Sequence, residues 1–135
     1  KLLKNDLETY NENLLIKLVR GAYHNEDKQT GLLFLNKKDS DDCYNQAIKI
    51  LSNTYNSTII ASHNNKSCTL AEKLNKNNNF KFAQLLGMND TLSYKLLKNG
   101  NKVYKYIPYG KWRDSIPYLT RRLYENYEIL KYSYR

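Results

Sequence analysis

Apolar residues along the chain fall into four short runs, separated by longer stretches in which apolar positions recur every three or four residues. The runs cover residues 14–19, 58–61, 80–86 and 102–107. Short apolar runs rich in Leu, Ile, Val, Phe and Tyr predict β-strands. The helical periodicity predicts helices at 42–51, 67–74, 90–98 and about 114–132. Strands that alternate with helices predict a parallel α/β sheet with helical crossovers.

The ends of these helices carry recognisable signals. Ser67 is a plausible N-cap of the second helix, and Asn99 with Gly100 is a good terminator of the third. Pro117 falls in the first turn of the last predicted helix, where proline is tolerated. The pattern between residues 25 and 40 leaves open whether this region holds an extra helix or a loop.

The composition is that of one domain, residues 1–135, with a core of ordinary size. No apolar run reaches the roughly 18 residues of a membrane span. The net charge is +9, but the lysines are scattered and form no basic block. We therefore expect no nucleic-acid partner, although RNA binding stays a third hypothesis. Cys43 and Cys68 lack metal-ligand spacing, so we expect no metal site and two free thiols buried on helices.

Each predicted strand is followed by a polar or glycine-containing motif. The motifs are RGAY at 20–23, SHN at 62–64, GMND at 87–90 and PYG at 108–110. Carboxyl ends of parallel strands meet at one edge of a sheet or barrel, where ligands bind in α/β folds. The sequence therefore predicts a binding site at this edge.

Residue types alone leave the chemistry of that edge open. Gly21 and Ala22 either admit a flat ligand or its phosphate close to the backbone, or form a plain turn. His63 is a candidate general base, a hydrogen-bond donor to a ligand, or a structural loop residue.

The final helix carries two adjacent arginines, Arg121 and Arg122, with Glu125 one helical turn later. Two guanidinium groups side by side suit a small carboxylate, and a glutamate at this spacing can hold either one in place. The alternative is a solvated helix face with ordinary ion pairs.

Five motifs in order resemble those of the proline dehydrogenase family, in the wording of its eukaryotic mitochondrial branch, and the resemblance covers nearly the whole chain. They are KLVRGAY (17–23), ASHN (61–64), FAQLLGM (82–88), YKYIPYG (104–110) and YLTRRLYEN (118–126). The family is a distorted (β/α)8 barrel that holds FAD. The resemblance implies that residues 1–135 are the C-terminal half of this barrel, strands five to eight with the following helices.

The resemblance also implies an activity and a setting. The expected reaction is FAD-dependent oxidation of L-proline to 1-pyrroline-5-carboxylate, the first step of proline catabolism, with electrons passed to a quinone. The expected location is mitochondrial, at the matrix side of the inner membrane, with contact to the membrane surface.

Roles for individual residues follow from the same resemblance. The catalytic residues would be Lys17, Arg121 and Arg122. The substrate-binding residues would be Arg121, Arg122, Glu125, Tyr106, Tyr118, Leu85 and Tyr23. The flavin-binding residues would be Lys17, Arg20, Gly21, Ala22, Ser62, His63 and Asn64. Lys17 stands where bacterial relatives carry an arginine near the reactive flavin nitrogen, and a cation there can stabilise the anionic reduced ring.

The chain departs from the family pattern in two ways. Asp27 stands where the family usually has a glutamate, four residues after Tyr23. The chain also begins just before the fifth strand, whereas a complete barrel needs about 250 residues. We therefore expect a partner that supplies the missing N-terminal half, or self-association. The alternative function is a catalytically inactive half-barrel that acts as an interaction or assembly module.

Overall fold

The computed structural model describes residues 2–9, 14–20, 36–54 and 56–125. At positions 2, 4, 6, 8, 114 and 121–125 it describes the backbone alone.

The described part contains four strands and five helices. The strands are β1 (Leu15–Val19), β2 (Ser57–Ala61), β3 (Phe80–Leu85) and β4 (Val103–Tyr106). The helices are α1 (Leu2–Thr9), α2 (Lys37–Leu51), α3 (Asn65–Leu74), α4 (Asp90–Lys98) and α5 (Trp112–Glu125). All neighbouring strands pair in parallel, in the order β1-β2-β3-β4. The predicted parallel α/β fold is confirmed, and it is consistent with part of a TIM-like barrel.

One face of the sheet packs against helices and forms the core. A register row of Leu18, Ile60, Phe82 and Val103 runs across all four strands on this face. The buried helical residues packed in the same cluster come from α2, α3 and α4: Tyr44, Ile48, Leu51, Cys68, Ala71, Leu92 and Leu96. Burial of each large apolar side chain stabilises the fold by roughly 1.5–3 kcal/mol. The core thus fixes the strand ends that carry the predicted site.

Successive side chains along a strand point to opposite faces of the sheet, so the neighbours of the core-facing residues point to the other face, which we call the open face. Its members are Leu15, Lys17, Val19, Ser57, Ile59, Ala61, Lys81, Ala83, Leu85, Tyr104 and Tyr106. Leu15, Val19, Tyr104 and Tyr106 are large hydrophobic side chains with substantial exposure. Within the described residues, the open face is therefore a mixed apolar and basic surface opposite the main core.

The start of α3 differs from the prediction. The N-cap is Asn64, whose side chain accepts a hydrogen bond from the Ser67 backbone N–H at 3.1 Å. Ser67 is buried inside the helix and donates its hydroxyl to Asn45. The prediction of Ser67 as the cap was wrong because an asparagine three residues earlier satisfies the first turn.

The start of α5 also differs. The helix begins at Trp112, and the Ser115 backbone N–H donates to the Lys111 carbonyl at 3.0 Å. Pro117 therefore lies beyond the first turn, and the predicted first-turn position was wrong. A proline has no N–H to donate, so the Arg113 carbonyl lacks its usual helical partner.

Two further features differ from expectation. Cys68 is buried as predicted, but Cys43 is exposed, because α2 turns Tyr44 and Ile48 toward the core instead. Helix α1 was not predicted. Its Leu3 and Leu7 pack beside the core.

Candidate functional site

The carboxyl edge of the sheet brings three pairs of predicted site residues together. Arg20 contacts Ser62, and His63 contacts Leu85. In the third pair, the ring of Tyr106 in β4 lies against the ring of Tyr118 in α5. The first two contacts link the end of β1 to that of β2 and the end of β2 to that of β3, and the third links β4 to α5.

Ser62 is a junction at this edge. It is 6% exposed, and its Oγ accepts hydrogen bonds from Arg20 at 3.3 Å and from the Asn64 backbone N–H at 3.1 Å. Its carbonyl oxygen accepts from Cys68 Sγ at 3.4 Å and from Gln84 Nε2 at 3.2 Å. Because both its side chain and its backbone are bound, Ser62 is fixed relative to β1 and β3.

Arg20 is held on the helix side of the sheet, as expected from its alternation with Leu18. Its guanidinium makes a short ion pair with Asp41 of α2 and lies 5.0 Å from the centre of the Tyr44 ring. The Tyr44 hydroxyl donates to the Leu18 carbonyl at 3.1 Å, and burial raises the pKa of this phenol far above its usual range. The side chain of Arg20 is thus fixed by an anion, a hydroxyl and a ring face.

Beyond the end of β2, the imidazole ring of His63 takes the place of a backbone carbonyl as the hydrogen-bond acceptor for β3. Its Nε2 accepts the Leu85 backbone N–H at 2.9 Å, a donor that points toward β2 in the parallel ladder. An imidazole nitrogen that accepts cannot carry a proton, so this contact requires the neutral ring with its proton on Nδ1. The His63 carbonyl in turn accepts from Asn89 Nδ2 at 2.9 Å.

Gln84 of β3 and Ser93 of α4 form a buried hydrogen-bonded pair next to the carboxyl edge. Gln84 is 1% exposed, and its Oε1 accepts a short hydrogen bond from the Ser93 hydroxyl of α4. Phe80, Phe82 and Gln84 alternate along β3 and therefore point to the same face, the core. A polar residue at this core-facing position is the sequence signal that could have revealed Gln84. Asp41 and Tyr44 were also missed, and nothing in their local sequence marks them. Asn89 belongs to the GMND motif at the end of the third predicted strand, but no role was predicted for it.

The Cys68 thiol beside this pair is a structural group. Burial raises its pKa to about 12, and its Sγ donates to a carbonyl. A thiol in this state is a poor nucleophile at neutral pH.

The open face beside this edge offers a flat surface. Val19, Ala61, Ala83 and Tyr104 form one register row, with two alanines at its centre. Lys17 is exposed on the same face, one step back along β1. Small side chains beside a cation fit a planar, electron-rich ring system.

Two tyrosines stand at the β4 side of the edge. The rings of Tyr106 and Tyr118 are 6.4 Å apart and inclined by 67°, an edge-to-face pair. Leu85 is largely buried and pairs in register with Tyr106. The contact between Tyr106 and Tyr118 ties the middle of α5 to the carboxyl end of β4.

The remaining predicted residues are only partly described. Arg121, Arg122 and Glu125 belong to α5, and Glu125 follows Arg121 by one helical turn. The structure describes only the backbone of these three residues. Gly21, Ala22, Tyr23 and Asp27 lie outside the described residues altogether.

The described part of the chain contains no group of three or more His, Cys, Asp or Glu side chains placed to hold a metal ion. Its helices are too short or too polar to cross a bilayer.

The four parallel strands with helical crossovers define a protein of the α/β class, a class in which ligands bind at the carboxyl ends of the strands. The family model described as proline dehydrogenase matches residues 2–133. The chain belongs to the proline dehydrogenase family.

Several curated proteins are similar to this chain. Proline dehydrogenase 1, mitochondrial, of Dictyostelium discoideum is 35% identical over 139 aligned positions, covering 88% of this chain and 24% of that protein. Proline dehydrogenase 2, mitochondrial, of Arabidopsis thaliana is 36% identical, with 88% and 29% covered. Hydroxyproline dehydrogenase of Bos taurus is 32% identical, with 86% and 29% covered. The chain therefore spans about a quarter to a third of these relatives.

Proposed function

We propose that this chain forms part of an FAD-dependent enzyme that oxidises L-proline to 1-pyrroline-5-carboxylate and passes the electrons to a quinone. Membership in the proline dehydrogenase family supports proline as the substrate class. The observation that carries the proposal is the carboxyl edge itself, where Ser62 and His63 are locked to neighbouring strands beside the open face.

The residues present fit a flavin. The row of Val19, Ala61 and Ala83 gives a flat, apolar bed, and Lys17 supplies a positive charge beside it. In this assignment Lys17, Arg20, Gly21, Ala22, Ser62, His63 and Asn64 hold the cofactor. When bound, FAD supplies the hydride acceptor that none of the chain's own side chains provides.

The final helix supplies the proposed proline site. Arg121 and Arg122 bind the proline carboxylate through charge-assisted hydrogen bonds, and Glu125 holds the two guanidinium groups in register. Tyr106, Tyr118, Leu85 and Tyr23 wall the substrate ring. The edge-to-face contact of Tyr106 with Tyr118 supports this arrangement, because it ties β4 to the helix that carries both arginines. Orientation of the substrate is the main contribution of these residues to catalysis.

We propose that residues 1–135 are the C-terminal half of a (β/α)8 barrel. The four parallel strands and the exposed apolar side chains of the open face support it, since this face suits the interior of a closed barrel. The N-terminal half of the barrel, or a second copy of the chain, then completes the site.

A mitochondrial location, at the matrix side of the inner membrane, is part of the same proposal. Its support is that several similar proteins carry the word mitochondrial in their names.

The test is flavin spectroscopy on the purified full-length protein that carries this chain. We expect bound FAD whose visible absorption bleaches on anaerobic addition of L-proline and returns when a quinone is added. Parallel additions of hydroxyproline separate the two substrates named among the relatives. Bound flavin that neither substrate bleaches, or no bound flavin at all, contradicts the proposed activity and favours the inactive half-barrel.

A further inference from the structure

Asn89 is a strained residue at the carboxyl edge, between β3 and α4. Its backbone lies in the left-handed region, with φ 49° and ψ 49°. Residues other than glycine seldom adopt this conformation, although asparagine tolerates it better than most. Such strain persists only where surrounding contacts enforce it, and it concentrates at functional sites.

The side chain of Asn89 does not do what its position leads one to expect. It is the N-cap of α4, yet its side chain makes no capping hydrogen bond. By contrast, the N-cap asparagines Asn36 and Asn64 have extended backbones, and their side chains accept from the first turn of their helices. The left-handed backbone therefore releases the Asn89 amide for another contact.

The released amide binds the loop that follows β2. Asn89 Nδ2 donates to the His63 carbonyl at 2.9 Å and to Asn65 Oδ1 at 3.2 Å. These two acceptors flank Asn64, so one amide group spans the turn between β2 and α3. On the other side of the same turn, His63 Nε2 accepts the Leu85 backbone N–H. His63 is thus held at its carbonyl and at its ring by two different parts of the β3 end.

We infer that Asn89 is a positioning residue, which fixes the 62–64 loop and the His63 ring in the arrangement that receives the flavin. Because residues 62–64 are cofactor-binding only under the proposed function, the inference rests on that function. Asn89 itself touches neither substrate nor cofactor in this assignment. It acts through His63, and the left-handed backbone is what directs its amide there.

A second left-handed asparagine provides a matched control. Asn78 has φ 54°, but it lies at the amino edge of the sheet, between α3 and β3, and is exposed. Glycine at either position removes the backbone strain together with the amide. Aspartate at either position keeps the shape and removes the donor.

The experiment compares Asn89→Gly and Asn89→Asp with Asn78→Gly and Asn78→Asp in the full-length protein. We measure the hydrogen exchange of the Leu85 amide without flavin, the dissociation constant for FAD, and KM for L-proline. Both Asn89 variants are expected to exchange the Leu85 amide about threefold to tenfold faster and to weaken FAD binding by a similar factor, as expected for loss of a hydrogen bond. KM for proline should change little, because the carboxylate is bound by another element. The Asn78 variants should leave all three quantities unchanged.

The outcomes separate the inference from the proposed function. Unchanged Leu85 exchange in both Asn89 variants overturns the inference, as does faster exchange with unaltered FAD affinity. Loss of folding in Asn89→Asp alone is controlled by Asn89→Gly, which removes the same donor, adds no charge and relieves the backbone strain. If the unaltered protein binds no FAD, the proposed function fails, and with it the link to flavin. Leu85 exchange then still decides whether Asn89 holds His63.

Discussion

The amino and carboxyl edges of the sheet both carry polar side chains, but these side chains have different hydrogen-bond partners at the two edges. At the amino edge, asparagine side chains mainly satisfy loop and strand backbone: Asn56 Oδ1 accepts from Leu14 N, Asn79 donates to the Thr54 carbonyl, and Asn101 donates to the Leu96 carbonyl. At the carboxyl edge, a cation, an imidazole and a buried serine are joined across three strands. The asparagine contacts at the amino edge satisfy backbone groups, whereas the contacts at the carboxyl edge hold polar side chains of neighbouring strands in a fixed arrangement. Stability and ligand binding should therefore separate between the two edges.

The largest expected effect lies on α5, beside the carboxyl edge. Arg121→Met should raise KM for L-proline about tenfold to a hundredfold, because it removes a charge-assisted bond to the carboxylate. Steady-state kinetics on the full-length protein give the value. Arg113→Met, an exposed arginine on the same helix, is the control and should leave KM within about twofold. An unchanged KM in Arg121→Met would remove the carboxylate assignment.

A large loss of stability is expected for Gln84→Leu. The change leaves the Ser93 hydroxyl and the Ser62 carbonyl each without one buried partner, so the free energy of unfolding should fall by about 1–3 kcal/mol. Denaturant titration measures it. Gln46→Leu, at an exposed position of α2, should stay within about 0.5 kcal/mol. Equal effects in the two variants would show that the buried pair contributes nothing to the edge.

A comparable but purely structural effect is expected at the amino edge. The Asn75 side chain pairs with both the N–H and the carbonyl of Phe80, at 2.9 and 3.1 Å. Asn75→Ala should lower the free energy of unfolding by about 1–2 kcal/mol and leave FAD affinity unaltered. Asn77→Ala, at an exposed site in the same loop, is the control. Weaker FAD binding by Asn75→Ala would erase the distinction between the edges.

The smallest expected effect is a change in the pH dependence of stability, and it concerns Cys68. Burial raises the pKa of this thiol from 9.0 to about 12, so the folded protein binds its proton more tightly than the unfolded chain does. Its contribution is complete below pH 9 and is lost as the pH rises from 9 toward 12. In a Cys43→Ala background, Cys68→Ala should therefore flatten the decline of stability that begins near pH 9. An unaltered slope in pH-dependent denaturation would contradict the buried state of this thiol.

The strands were predictable because each is a short apolar run rich in β-branched and aromatic residues, too short for a helix and flanked by stretches with helical periodicity. Helix starts were less predictable, because Asn64 and Ser67 are both good caps and only the tertiary packing of Ser67 decides between them. The convergence of Ser62 and His63 followed from parallel topology. The partners that hold Arg20 and His63 could not be predicted, because Asp41 and Asn89 lie more than twenty residues along the chain from the groups they bind.

The most direct test of the central claim is an equilibrium FAD titration of the full-length protein, followed by flavin fluorescence, with one variant at each edge. His63→Ala removes the imidazole that binds Leu85, and Asn75→Ala removes the amide that binds Phe80. We predict that His63→Ala weakens FAD binding about tenfold, while Asn75→Ala changes it by less than about twofold. Equal weakening by both variants, or no effect of His63→Ala, would contradict the assignment of the flavin to the carboxyl edge.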